Sequence, residues 1–298
     1  MRATSPAAAP SDILSAVLPA ERLFLATSLV CLGRFRCDPG DPSFGGGAPC
    51  TGHTVVFPRR AVWIQHDGGR PFVADPATIP LYNRGQEYTR KAIDPRGDAC
   101  EWMAFPSAVV ADAMRALGQP GQDRPDRPFD AAALPASGPI YAAQRRMFDA
   151  AARGGSDEGA LEEQALLLLD AVLRQSAPRP ARPASRAVID GIEEARRLIN
   201  LERPHARSLT ELARACGLTP YRLCREFHRA TGMTISAYRT RLRLFDSLDA
   251  LPRARDLSAL ALDAGFCSHS HFTAAFRRVF GATPSSLRPG LGQRGFFV

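Results

Sequence analysis

Between residues 22 and 105 the chain alternates short runs of apolar and β-branched residues with turn formers. The runs cover 54–57, 62–66, 71–74, 78–82, 88–93 and 101–105, and they are separated by Asp67-Gly68-Gly69, Asp75-Pro76, Asn83-Arg84-Gly85 and Pro95-Arg96-Gly97-Asp98. Strands this short at such even spacing predict an all-β sandwich or barrel. Residues 118–139 are rich in Pro, Gly and Asp and read as a loop. The period then changes. Ile140, Ala143, Met147, Phe148 and Ala151 share one helical stripe, and Leu161, Ala165, Leu168, Leu169 and Val172 share a second. Helices are expected over 140–153 and 157–175, with Gly154-Gly155-Ser156 as the turn between them. This hairpin has an apolar face for its own sheet or for a second copy of the chain.

Three prolines fall within six residues of the stretch 176–185, which rules out a continuous helix there. It reads as an extended linker. Beyond it the pattern is helical almost to the last residue. The Ala/Pro/Ser-rich residues 1–12 are expected to fray.

The helical part repeats itself. Leu209, Leu212, Ala213 and Gly217 recur as Leu257, Leu260, Ala261 and Gly265, offset by 48. After one inserted residue, Leu223, Phe227, Gly232 and Thr234 recur as Phe272, Phe276, Gly281 and Thr283, offset by 49. Each unit reads as helix, tight turn, helix. Ser208 with Glu211 forms a capping box, and Asp256 caps the equivalent helix. Gly217 and Gly265 stand where the chain must turn sharply, which predicts positive φ. Thr219, followed by Pro220, and Ser268 cap the second helices, and Gly232 and Gly281 end them. Ala213 and Ala261 allow the two helices of each unit to cross closely. A helix over 235–250 would join the units.

Charge follows the same division. Residues 186–298 carry 18 Arg against 10 Asp/Glu, while the 20 Arg/Lys of residues 1–185 are matched by 20 Asp/Glu. The whole net charge of +8 therefore lies in the repeat-bearing part, as expected of a domain facing a polyanion. Two helix-turn-helix units on one basic domain point to the major groove of DNA.

Residues 187–289 resemble the DNA-binding domain of the AraC/XylS family of bacterial transcription regulators. The resemblance is carried by Ala264-Gly-Phe-Cys-Ser-His-Ser-His-Phe-Thr-Ala-Ala-Phe-Arg-Arg-Val-Phe-Gly-Ala-Thr-Pro-Ser-Ser-Leu-Arg288. In the first unit it is carried by Leu212-Ala213, Gly217, Leu223, Arg225, Phe227 and Gly232. It implies an α+β chain of two domains. The first, 1–175, is a cupin-like sensory and dimerisation domain, with β structure over about 20–110 and helices over about 140–175. A linker at 176–185 and an all-α domain with two helix-turn-helix units at 186–290 follow. The stretches Val55-Val-Phe-Pro58, Ala74-Asp75-Pro76, Leu81-Tyr-Asn-Arg-Gly85 and Gly97-Asp98 are similar to such cupin-like domains.

The side chains expected to face bases are Tyr221, Arg222, Cys224 and Arg225 in the first unit and His269, Ser270, His271 and Ala274 in the second. Arg225 is the leading candidate for direct readout, by a bidentate contact to guanine. Its alternatives are a phosphate contact or an ion pair with Glu211 or Glu226. Ala274 departs from the arginine frequent in the family there, which predicts weaker readout by the second unit. His271 also suits a structural place in the helix cap. Thr219, Arg229, Arg239, Arg243, Ser268, Arg277 and Arg278 are candidate phosphate contacts, with a solvated face as the alternative.

In the first domain, Trp63, His66, Tyr82, Tyr88, Glu101 and Trp102 are candidates for an effector pocket, polar groups set among aromatics. Alternation places only some of them inside. Cys31, Cys37, Cys50 and His53 carry zinc-ligand chemistry, but without a closely spaced Cys pair, so buried thiols are the expectation. The His-x-His arrangement of metal-binding cupins is absent, and neither a metal site nor another cofactor is expected. The reading that follows is a cytoplasmic, non-enzymatic regulator. It binds double-stranded promoter DNA as a homodimer, responds to a small effector, and has RNA polymerase as a further partner. The rivals are a cupin-type metalloenzyme, a thiol-based DNA-repair fusion, and a regulator that needs no effector. No run approaches the length of a membrane span, and no secretory leader is expected.

Overall fold

The computed structural model describes residues 20–42, 44–46, 49–154, 157–175, 185–201 and 207–291. The N-terminal stretch 1–12, Gly155-Ser156 and linker residues 176–184 lie outside the described residues. The chain divides into two compact units. The first draws on residues 1–74, 78–134 and 155–178, and the second on 75–77, 135–154 and 179–298.

The first unit is built from antiparallel strands. They are β1 (Glu21–Ala26), β2 (Cys31–Cys37), β3 (His53–Pro58), β4 (Val62–His66), β5 (Phe72–Ala74), β6 (Thr78–Tyr82), β7 (Tyr88–Ala92), β8 (Asp98–Phe105) and the short β9 (Ala133–Pro135), which straddles the division. A six-stranded sheet runs β1-β2-β8-β3-β6-β9, and a three-stranded sheet runs β5-β4-β7. A core lies between them, with Phe35 and Cys100 from the larger sheet packed with Val62 and Ile64 from the smaller. The register of β8 explains the division of its side chains. It pairs with β2 (Phe35 opposite Cys100) and with β3 (Val56 opposite Trp102), so even-numbered residues face that core. Odd-numbered Glu101, Met103 and Phe105 are buried on the opposite face. Two helices complete the unit, α1 (Ser107–Ala116) and, after α2 of the second unit, α3 (Glu158–Arg174), packed on each other. The stretch expected as a loop over 118–139 contains a 3-10 turn at Pro120–Asp123 and β9.

The second unit contains α2 (Gly138–Arg153) and the helices α4 (Arg186–Leu201), α5 (Leu209–Ala215), α6 (Pro220–Thr231), α7 (Ile235–Ala250), α8 (Leu257–Asp263), α9 (His269–Phe280) and α10 (Pro284–Leu287). The two helices expected to pair as a hairpin therefore part company, α3 staying with the sheets and α2 joining the helices. The reason is visible in α2. Tyr141 stacks on Phe245 of α7 at 4.0 Å with ring planes 4° apart. Gly138 sits where a Cβ would lie 1.8 Å from the Val279 carbonyl oxygen of α9, so only glycine permits that approach.

Residues 75–77, between β5 and β6, are held in the helical unit by a buried polar cluster. Asp75 is fully buried. It accepts from the Tyr238 hydroxyl, and from Asn200 Nδ2 at 2.7 Å, while Arg196 approaches it at 3.5 Å. The Asp75 side chain also accepts the Ala77 N–H at 3.0 Å, closing the turn. Ala77 packs in the same core as Ile192, Leu212, Leu223, Phe227 and Leu242.

Candidate functional site: a paired helix-turn-helix surface

The repeat folds as two copies of one device. In the first, Ser208 accepts the Glu211 N–H while the Glu211 carboxylate accepts the Ser208 N–H at 2.8 Å, a complete capping box. Gly217 turns the chain at φ 64°, and Thr219 caps α6 by accepting the Arg222 N–H at 3.3 Å. In the second, Asp256 caps α8, Gly265 turns at φ 76°, and Ser268 caps α9 by accepting the His271 N–H at 3.1 Å. Both second helices end on left-handed glycines, Gly232 at φ 71° and Gly281 at φ 73°. Ala213 and Ala261 are fully buried, as close helix crossing demands. Leu223 and Phe227 point α6 into the core, and Phe272, Phe276 and Phe280 do the same for α9. The opposite faces of both helices are left to solvent. α7 joins the units with 16 residues, a rod of about 24 Å.

All eight candidate base-facing residues are exposed. Tyr221 is 75% exposed, high for an aromatic side chain with no surface role. Arg225 is engaged within its own helix. Its Nε and Nη2 donate to Glu226 Oε1 at 3.0 and 2.6 Å, and its guanidinium lies 5.8 Å from the Tyr221 ring centroid. Glu226 also draws Arg229 to 3.5 Å, and its carboxyl is held below the ordinary range chiefly by the Arg225 hydrogen bonds. Of the two ion-pair alternatives, Glu226 is the one formed, and Glu211 is occupied in its capping box. In α9, His269 Nε2 lies 3.4 Å from Thr273 Oγ1. His271 Nδ1 lies 3.2 Å from Cys267 Sγ, and its ring packs edge-on against Phe266. His271 is also exposed, and its own N–H is the one that Ser268 accepts.

The candidate phosphate contacts fall into groups. Arg277 and Arg278 are exposed at the end of α9 and form no ion pair among the described residues. Arg239 donates to the Arg207 carbonyl at 3.0 Å, and Arg243 reaches the Gly265 carbonyl at 3.3 Å, tying α7 to the turn of the second unit. Both border a surface groove with Cys224 and Thr240. Thr219 and Ser268 use their oxygens as caps, which leaves each hydroxyl proton available to an outside acceptor.

The first unit holds a cavity of about 120 Å³ between its sheets. Tyr82, Tyr88 and Trp102 line it, but Trp63, His66 and Glu101 do not. Strand parity accounts for two of the misplacements. Trp63 alternates with the inward-facing Val62 and Ile64, and Glu101 faces away with the odd residues of β8. There Glu101 is bonded by Arg59 and, at 2.6 Å, by Arg34. His66 does face inward but backs the Tyr82 ring at a centroid distance of 4.6 Å. Burial pulls its pKa down to about 4. The sequence reading missed Arg90 and Asp98, paired at 3.1 Å on the wall. Burial raises the Asp98 carboxyl against the opposing pull of Arg90. The Gly97-Asp98 turn was visible in the sequence, but its partner across the strands was not.

Cys31, Cys37, Cys50 and His53, the side chains with zinc-ligand chemistry, are not grouped as a metal site among the described residues. Among the described residues no group of three or more His, Cys, Asp or Glu side chains is placed to hold a metal. His53 uses Nδ1 to accept the Arg84 N–H at 3.1 Å and has Nε2 2.9 Å from the Pro125 carbonyl. Burial pushes the Cys31 thiol up to about 11 and the Cys50 thiol up to about 12. No described helix is long and apolar enough to cross a membrane.

The C-terminal helix-turn-helix region matches known proteins. Residues 212–289 match the helix-turn-helix domain family. The transcriptional regulator GlxA of Rhizobium meliloti is 38% identical over 109 residues, 36% of this chain and 31% of that protein. The transcriptional regulator RipA of Corynebacterium glutamicum is 31% identical over 114 residues, 38% of this chain and 31% of that one. The matched region thus spans about a third of the length of these relatives. Among solved structures, ToxT from Vibrio cholerae aligns over 88% of this chain and 99% of its own, with 11% identity and a TM-score of 0.35.

Proposed function

We propose that this chain, whose C-terminal part is an AraC-type helix-turn-helix domain, is a sequence-specific DNA-binding transcription regulator. In it, α6 and α9 enter successive major-groove segments on one face of a promoter duplex. The observation that carries this is the duplication itself: two capped, glycine-turned units, each with one apolar face buried and the other exposed, on the part of the chain that holds all the net positive charge. Phosphate neutralisation by arginine supplies affinity, and side chains on the exposed faces supply sequence preference.

Arg225 takes the direct-readout role, exchanging Glu226 for a guanine edge, with Tyr221, Arg222 and Cys224 beside it. His269, Ser270, His271 and Ala274 give α9 a smaller share of readout, so α9 mainly positions the domain. Arg229, Arg239, Arg243, Arg277 and Arg278, with the Thr219 and Ser268 hydroxyls, contact the backbone. The cavity between the sheets receives a small effector, and the chain acts as a homodimer that works on RNA polymerase. No catalytic step enters this account.

Selection of duplexes from a random pool by the full chain, followed by titration of the selected and a scrambled duplex at several salt concentrations, tests the proposal. A steep fall of affinity with salt on both duplexes, together with a preference of at least a hundredfold for the selected one, is expected. Salt-insensitive binding, or no preference, contradicts it.

A further inference from the structure

The cavity of the first unit has a chemistry that names its occupant more narrowly, on the premise that this unit senses a small effector. We infer that it takes an uncharged molecule the size of a single aromatic ring and refuses the corresponding carboxylate. Its size suits a single ring. At about 120 Å³ it is of the order of the ~150 Å³ apolar cavity that accepts benzene. Its wall sets the affinity. Phe35, Val56, Ile64, Tyr82, Tyr88 and Trp102 present aromatic and aliphatic surface. The Tyr82 and Tyr88 rings stand 4.9 Å apart at 60°, an edge-to-face corner suited to a third ring.

Charge sets the selectivity. Among the described residues, Arg90 is the one basic side chain on that wall. Its Nη1 is paired with Asp98 at 3.1 Å, its Nε donates to the Phe44 carbonyl at 2.7 Å, and its guanidinium lies 4.2 Å from the Phe35 ring centroid. Arginine on a cavity wall ordinarily invites a carboxylate. This one already holds a buried acid. Among the described residues the other charged side chain on the wall, Glu21, is also acidic. An entering carboxylate would lose its hydration and find the Arg90 guanidinium already paired with Asp98, with a second acidic side chain on the wall. A neutral ring with a hydroxyl loses little, because the Thr54 side chain and the Cys50 thiol stand on the wall as polar groups. Burial pushes the Cys50 thiol up to about 12, so it meets a ligand as a neutral polar group rather than as a thiolate.

Calorimetric titration of the full chain with benzyl alcohol, phenol, benzoate and benzylamine tests the inference. Benzyl alcohol and phenol are expected to bind, with benzoate at least tenfold weaker than benzyl alcohol. Val56→Trp, which fills the chamber, should abolish the heat of binding. Asp98→Asn should release the Arg90 cation and shift the benzoate to benzyl alcohol ratio at least tenfold toward benzoate. Glu21→Gln, which leaves the Arg90 pair intact, should shift it by a smaller factor in the same direction and serves where Asp98→Asn fails to fold. Benzoate binding as tightly as benzyl alcohol overturns the inference. So does tighter binding of benzylamine than of either neutral ring, an unchanged ratio in the folded variants, or silence across the panel. Duplex binding without ligand is read separately. A chain that prefers its selected duplex but ignores every ring keeps the regulator account and loses this one. A chain that binds the rings with no change in duplex affinity keeps the ligand class and loses the effector role.

Discussion

Arg225 and Glu226 are neighbours in sequence, and in α6 the arginine folds back to place two donors on the acid, at 3.0 and 2.6 Å. The side chain best placed to read a base is therefore held by a carboxylate that also draws Arg229. In the proposed complex DNA displaces that carboxylate, and its negative charge opposes the approach of any phosphate whatever the sequence. Removing the charge by Glu226→Gln should tighten binding to scrambled and selected duplexes alike several-fold, as measured by competition titration. An unchanged affinity would show that Glu226 does not oppose binding.

Arg225→Ala should lower affinity for the selected duplex by about tenfold to a hundredfold, matching ~1–3 kcal/mol for a bidentate base contact. Scrambled duplexes should lose much less. His269→Ala should weaken both duplexes to a similar extent, as expected of a helix that positions rather than reads. Equal losses on all sequences for Arg225→Ala would make it a phosphate contact.

The glycines divide by what surrounds them. Gly217 and Gly265 need positive φ and have open or loosely packed space at the Cβ position, so alanine there should cost about 1 kcal/mol each. Gly138→Ala should cost clearly more, because its Cβ would collide with the Val279 backbone of α9. Denaturant unfolding of the three variants checks the order. A Gly138→Ala chain as stable as Gly217→Ala would contradict the close α2–α9 packing.

The Asp75 cluster predicts a related loss. Asp75→Ala leaves the buried Arg196 with fewer partners and removes the acceptor of the Tyr238 hydroxyl, and should destabilise the helical unit by about 3–5 kcal/mol. Tyr238→Phe, which deletes only the hydroxyl, should cost about 1–3 kcal/mol. Chemical denaturation of each variant measures both, and a smaller loss for Asp75→Ala than for Tyr238→Phe would refute the arrangement.

Acid should weaken the first unit through His66. Burial holds its folded pKa near 4, below the unfolded value of about 6.5, so above that value it is neutral in both states and contributes nothing. As the pH falls below about 6.5 the unfolded chain takes up a proton that the folded chain refuses, and stability declines until the pH approaches 4. The loss should reach ~1–3 kcal/mol, and His53, also lowered by burial, acts in the same direction. Thermal unfolding of wild type and His66→Leu between pH 7.5 and about 4.5 should show a shallower decline in the variant. Parallel curves would remove His66 from the account.

The repeat was fully legible from the chain, because caps, glycines and apolar spacing each act within a few residues. Ser208, Gly217, Thr219 and their counterparts hold the places that local chemistry predicts. The strands were legible where alternation was clean, as at Val62–His66, or where a short apolar run lay between turn formers, as at Thr78–Tyr82. What escaped depended on distant partners. α1 went unnoticed because its apolar stripe is short, with Val110 and Met114 as its buried residues. The parting of α2 from α3 rests on Tyr141 meeting Phe245 and on Gly138 meeting Val279, neither of which periodicity reveals. The cavity wall was half read for the same reason. Aromatic type selected Tyr82, Tyr88 and Trp102, but only strand register separates Trp102 from Glu101.

The most direct test is hydroxyl-radical footprinting of the full chain on its selected duplex. The account predicts two protected patches on one face, about one helical turn, or ~10 base pairs, apart for each copy bound. Alanine at Arg225 should weaken the patch under α6 first. A single patch per copy, or uniform protection without preference for sequence, would contradict the claim that both helices dock together.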